Sequence, residues 1–126
     1  MAFTKLFPPE SRDALPVAEI IKRLRGEFQV VHADRDQGQD HVAAMIAATL
    51  RFSDVVPGKQ ERLARLQSIQ QAAVYVSFGD DLGLVASCCV MPDSALFFDS
   101  PDEVSGAARP LLERAASALG YTLFDG

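Results

Sequence analysis

The chain's only two histidines, His32 and His41, bracket a segment that reads His32-Ala33-Asp34-Arg35-Asp36-Gln37-Gly38-Gln39-Asp40-His41. Imidazole and carboxylate are ligands for zinc and other transition metals. Imidazole also titrates near neutrality, as a general base must. The candidate metal ligands are therefore His32, Asp34, Asp36, Asp40 and His41. The candidate catalytic residues are His32, Asp34, Asp36 and His41. The segment falls between an expected strand and an expected helix, a place where open α/β sheets bind ligands.

Its spacing completes no known site. Asp34-x-Asp36-x-Gly38-x-Asp40 looks like an oxygen-rich calcium loop. Such a loop needs a ligand at its fifth position, glycine at its sixth and glutamate at its twelfth. Gly38, Gln39 and Met45 stand there instead. The His-Glu-x-x-His pattern of zinc helices is also missing. The plainer account is preferred: an exposed loop in which Asp40 caps the next helix and His32 closes an apolar strand face.

Other chemistry is weaker still. Cys88 and Cys89 are adjacent, so in a strand they point to opposite faces and cannot easily bridge. No cation or histidine lies beside them to lower a thiol pKa, and packing explains them. Gly79-Asp80-Asp81-Leu82-Gly83 lacks the Lys-Ser/Thr of a phosphate loop, and its aspartates would repel phosphate. It reads as a turn. No Gly-x-Ser-x-Gly elbow is present. Asp99, Asp102, Glu103 and Asp125 flank the last helix and strand, where the helix dipole accounts for Asp99 and Asp102. Lys59, Arg62 and Arg65 form one modest basic helix face.

The elements that must position these residues follow from periodicity. Residues 2–7 alternate as a strand, stopped by Pro8-Pro9. A helix over 13–25 carries the stripe Val17, Ile20, Ile21, Leu24, with Asp13 as cap and Gly26 as terminator. Residues 27–33 form a strand, and 34–40 a polar loop. A helix over 40–52 follows, with the stripe Val42, Met45, Ile46, Thr49 and alanines at 43, 44, 47 and 48 that allow a close neighbour. A surface helix spans 59–71 on a thin stripe of Leu63, Leu66 and Ile69. Residues 72–78 and 84–91 make a hairpin whose second strand is central in the sheet. Pro92-Asp93 turns the chain into a short strand, Ala95–Phe98. Ser100-Pro101-Asp102-Glu103 has the pattern of a capping box that opens the last helix. Pro110 must kink or break that helix, Gly120 ends it, and Tyr121–Phe124 closes the chain as a strand.

The expected fold is α+β: a single domain over residues 1–126, with a mixed sheet of about five strands and three to four helices. The element order is β-α-β-α-α-β-β-β-α-β, and a ferredoxin-like topology with a two-helix insertion is one specific version. The chain has 126 residues, 48% of them hydrophobic, and eight Phe and two Tyr fill the place of the absent Trp. That suffices for one core.

The net charge of −5 is uneven. Residues 1–71 carry ten basic and nine acidic side chains, whereas residues 72–126 carry two basic and eight acidic. An acidic half disfavours nucleic acid as partner. No apolar run approaches a membrane span, and the N-terminus lacks a signal-peptide pattern. The expectation is a cytoplasmic, non-catalytic binding or interaction module without a cofactor. Its partner would be another protein or a second copy in a homodimer, with a small molecule also possible. The alternative is a metal-binding protein or hydrolase-type enzyme built on residues 32–41.

Overall fold

The computed structural model describes residues 2–81, 83–92 and 95–126. In chain order the elements are β1 (Thr4–Phe7), α1 (Val17–Glu27), β2 (Val30–Asp34), α2 (Arg35–Leu50) and α3 (Lys59–Ile69). A 3-10 turn (Gln70–Ala72) leads to β3 (Val74–Asp81), β4 (Leu84–Val90) and β5 (Leu96–Phe98). The chain ends with α4 (Pro101–Val104), α5 (Arg109–Leu119) and β6 (Thr122–Asp125). Leu82 of the expected turn, and Asp93 of the next one, lie outside the described residues.

The strands form two three-stranded sheets, ordered β5-β1-β6 and β2-β3-β4, and every pair is antiparallel. This corrects the expectation of one mixed sheet, and with it the ferredoxin-like version. The reason is where β1 goes. It pairs with β5 and β6, aligning Thr4 with Phe98 on one side and Asp125 on the other. The two ends of the chain thus close one sheet, while β2 joins the β3–β4 hairpin to make the second. The central strand of that hairpin's sheet is β3, not β4 as expected. Burial of β4 on both faces comes from helices and neighbouring strands on either side.

One face of each sheet packs on α1 and α5. Leu6, Val76, Phe78, Val90, Leu96 and Phe98 lie in the same buried cluster as Ile20, Leu24, Leu112 and Leu119. Phe78 packs against Phe28 with the rings tilted and 4.8 Å apart, and it meets Phe98 edge-on at 6.1 Å. It therefore joins β3 of one sheet to β5 of the other. A smaller cluster of Val42, Leu66, Ala73 and Cys89 lies beneath α2 and α3 on the opposite face.

Helix boundaries moved for identifiable reasons. The stripe of α1 is as read, but its N-cap is the extended Pro16, and Gly26 stays helical. The helix stops where Phe28 turns into the core; its backbone N–H donates to the Leu24 carbonyl. Pro110 does break the last helix in two, and it sits in the first turn of α5, where a missing N–H costs nothing. Gly120, at φ 68°, ends α5 in the left-handed conformation. The capping box does not form: Ser100 makes no side-chain cap bond. Lys59 leaves the basic face of α3, because its ammonium is buried against the Phe52 carbonyl and Asp54.

The ends of the chain are clasped by one polar cluster. Arg109 donates through both terminal nitrogens to the Asp125 carboxylate, and the Thr4 hydroxyl donates to the same carboxylate at 2.8 Å. Arg109 and then Thr4 pull the Asp125 pKa from 3.8 down to about 2. A depressed carboxylate stabilises the fold above its unfolded pKa and ceases to do so as pH falls through its folded pKa. Asp125→Asn is therefore expected to be less stable than the parent at neutral pH. The gap should close between pH 3.8 and about 2. Urea melts at several pH values check this, and a gap independent of pH would contradict it.

Candidate binding surfaces

The outer face of the β2-β3-β4 sheet follows from strand alternation. Val31, Ala33, Val76, Phe78, Ala86 and Cys88 face the main core. Their neighbours point the other way. Register then builds two rows, His32–Ser77–Ser87 and Asp34–Tyr75–Cys89. The hydroxyls of Ser77 and Ser87 are hydrogen-bonded at 2.8 Å. His32 is exposed beside them, so it does not close an apolar face as expected.

The expected loop over 34–40 is the first turns of α2. Asp34, the last residue of β2, has extended dihedrals, and its carboxylate accepts the Gln37 N–H at 3.0 Å. It is the N-cap, in the place expected for Asp40. The helix then separates the candidates. Asp36 and Asp40 are exposed on α2, Asp34 is held as the cap, and His32 stays on the sheet. Among the described residues, no three His, Cys, Asp or Glu side chains are grouped so as to hold a metal ion. The structure does bring Asp40 and His41 together, in a depression shared with Gln37 and Tyr75. The imidazole of His41 lies 6.1 Å from the Tyr75 ring.

Beyond Tyr75 this depression leads to a cavity of about 170 Å³ whose lining includes Met45, Ser87, Cys89, Met91 and Phe97. Glu103 lies close to this region. It is only 8% exposed, and its carboxylate accepts the Ser87 N–H at 2.8 Å. That bond takes Glu103 away from its half of the capping box, where it would reach back to the Ser100 N–H, and satisfies a donor of the edge strand β4 instead. Burial, and to a lesser degree Asp99 and Asp102, raise its pKa against the lowering effect of the Ser87 bond. Burial and the Glu103 charge raise the Tyr75 pKa. Burial pushes the Cys89 thiol up to about 11 and the Cys88 thiol higher. Neither is a nucleophilic thiolate, in line with the packing role read from sequence.

Phe97 also belongs to a surface that sequence reasoning missed. On the outer face of β5-β1-β6, Lys5 stands between Phe97 and Phe124 in register. Phe3 stacks on Phe97 at 5.2 Å, and the Lys5 ammonium lies 5.3 Å from the Phe3 ring. Phe7 meets Phe124 edge-on at 6.3 Å. Phe97 and Phe124 remain 45% and 50% exposed. The signal was present in the alternation of Phe3, Lys5 and Phe7 with Thr4 and Leu6. A further cleft, of about 450 Å³, lies beside α1 and β2. No family model, curated protein or solved structure matches the chain.

Proposed function

We propose that the chain is a non-catalytic interaction module that works as a homodimer in the cytoplasm. The aromatic outer face of β5-β1-β6 carries this reading. A ring exposed by half is costly in water, and exposed aromatic patches mark interaction sites. A second copy is the occupant we favour, because β6 is an unpaired edge of its sheet and carries Phe124. Pairing β6 with its symmetry mate would satisfy the edge and merge two aromatic faces into one. The acidic half of the chain does not suit nucleic acid. Among the described residues no helix is long and apolar enough to cross a membrane. The cytoplasm suits two buried free cysteines. Metal or acid–base chemistry on residues 32–41 has less support, because of those candidates only Asp40 and His41 share a depression.

Light scattering coupled to size exclusion tests the dimer. A dimer at micromolar concentration is expected, and Phe124→Lys should weaken it by about 30-fold or more, as loss of a central aromatic contact does. A parent chain that runs as a monomer across that range would remove the proposal.

A further inference from the structure

The cleft beside α1 and β2 is independent of the dimer surface and has a different chemistry. Its volume of about 450 Å³ lies in the range of small-molecule sites. Val17, Ile21, Ala33 and Val74 supply an apolar lining, and Arg25 and Arg35 supply two cations. Val17, Ile21 and Arg25 recur every four residues, so one face of α1 carries both the apolar floor and a guanidinium. Arg35 reaches the same cleft from the first position of α2. Three other arginines of this acidic chain are engaged in ion pairs: Arg23 with Glu19, Arg109 with Asp125, Arg114 with Glu27 and Asp80. Arg25 and Arg35 have no side-chain hydrogen bond or ion pair among the described residues. An unpaired guanidinium offers a planar fork for a carboxylate.

We propose that this cleft binds a small organic carboxylate with an apolar tail, its charged end held by Arg25 and Arg35 and its tail lying over Val17, Ile21, Ala33 and Val74. Anion and tail must both contribute, so neither a simple salt nor a neutral amphiphile should substitute. Both arginines are exposed and partnerless, so their replacement does not endanger the fold.

Octanoate is the probe, followed by calorimetry and by backbone NMR shifts. Octanoate should bind and shift signals of α1 and β2, whereas acetate, octanol and octyltrimethylammonium should not. Arg25→Gln and Arg35→Gln should each weaken octanoate about tenfold, the loss expected for one charge-assisted hydrogen bond. Arg51→Gln, which removes a cation outside the cleft, should leave binding unchanged. The proposal is overturned if octanoate does not bind at millimolar concentration or if octanol binds equally well. It is also overturned if both cleft variants bind like the parent, or if Arg51→Gln weakens binding as much as they do.

Discussion

Replacing Gly38 with alanine is expected to destabilise the protein by about 2–3 kcal/mol, although alanine is the better helix former. Gly38 is buried inside α2, where the helix crosses the start of β3. A Cβ there would stand 2.5 Å from the Ala73 carbonyl oxygen and 2.6 Å from the Val74 Cα. Both are backbone atoms, one in the extended link between the 3-10 turn and β3 and one in β3 itself, so they cannot swing aside as a side-chain tip would. The helix must retreat instead, and with it His41 and Met45, which wall the small cavity over Tyr75. Gly26→Ala is the matched control. Gly26 is helical and a Cβ there meets nothing within 4 Å. It should stabilise by about 0.5–1 kcal/mol through propensity and chain entropy alone. Opposite signs in paired urea melts are expected, and a neutral or stabilising Gly38→Ala would refute the close approach.

The same glycine explains the largest error in reading the fold. The 34–40 stretch has no apolar periodicity, and Asp34, Gly38 and Asp40 are turn-formers, so it reads as a loop. In the folded chain the buried position of that turn is filled by a residue with no side chain, which leaves no stripe to detect. Where side chains do the packing, the pattern is faithful. Val17, Ile20, Ile21 and Leu24 place α1, and Pro110 divides α4 from α5. Strand order was beyond reach for a different reason. The Thr4–Asp125 bond spans a sequence separation of 121, and no local propensity encodes such a pairing.

The candidate sites were only partly readable for related reasons. His41 was picked out by its type, but its neighbour Tyr75 comes from β3 and is known only once α2 lies over the sheet. The alternation of residues 2–7 identifies a strand without saying which face is buried. Only the pairing of Lys5 with both Phe97 and Phe124 shows that these two distant aromatics share an open surface with Phe3 and Phe7. In the sequence Arg25 falls at the end of one helix and Arg35 in a polar segment, and no spacing ties one to the other. Their meeting in one cleft depends on β2 running back alongside α1.

Phe78→Ala is the other substitution expected to have a large effect, at about 3–5 kcal/mol. Phe78 is fully buried on the central strand β3, between Phe28 and Phe98. Removing the ring leaves a cavity ringed by α1, β3 and β5, and rigid strands on both sides limit its collapse. A typical domain has only about 5–15 kcal/mol in total, so this variant should stand near the limit of folding. The contact with Phe98 adds a sharper test, because the two rings belong to different sheets. If the sheets fold as one unit, Phe78→Ala and Phe98→Ala should each lower a single cooperative transition. A double-mutant cycle should then show a coupling of about 0.5–1.5 kcal/mol, the usual value for an aromatic pair. Two separate transitions, or a Phe78→Ala cost below about 1 kcal/mol, typical of a surface change, would mean that β5-β1-β6 stands without the second sheet. A coupled transition would instead place Phe78 at the junction that makes both outer surfaces, the aromatic face and the Tyr75 cavity, parts of one rigid body.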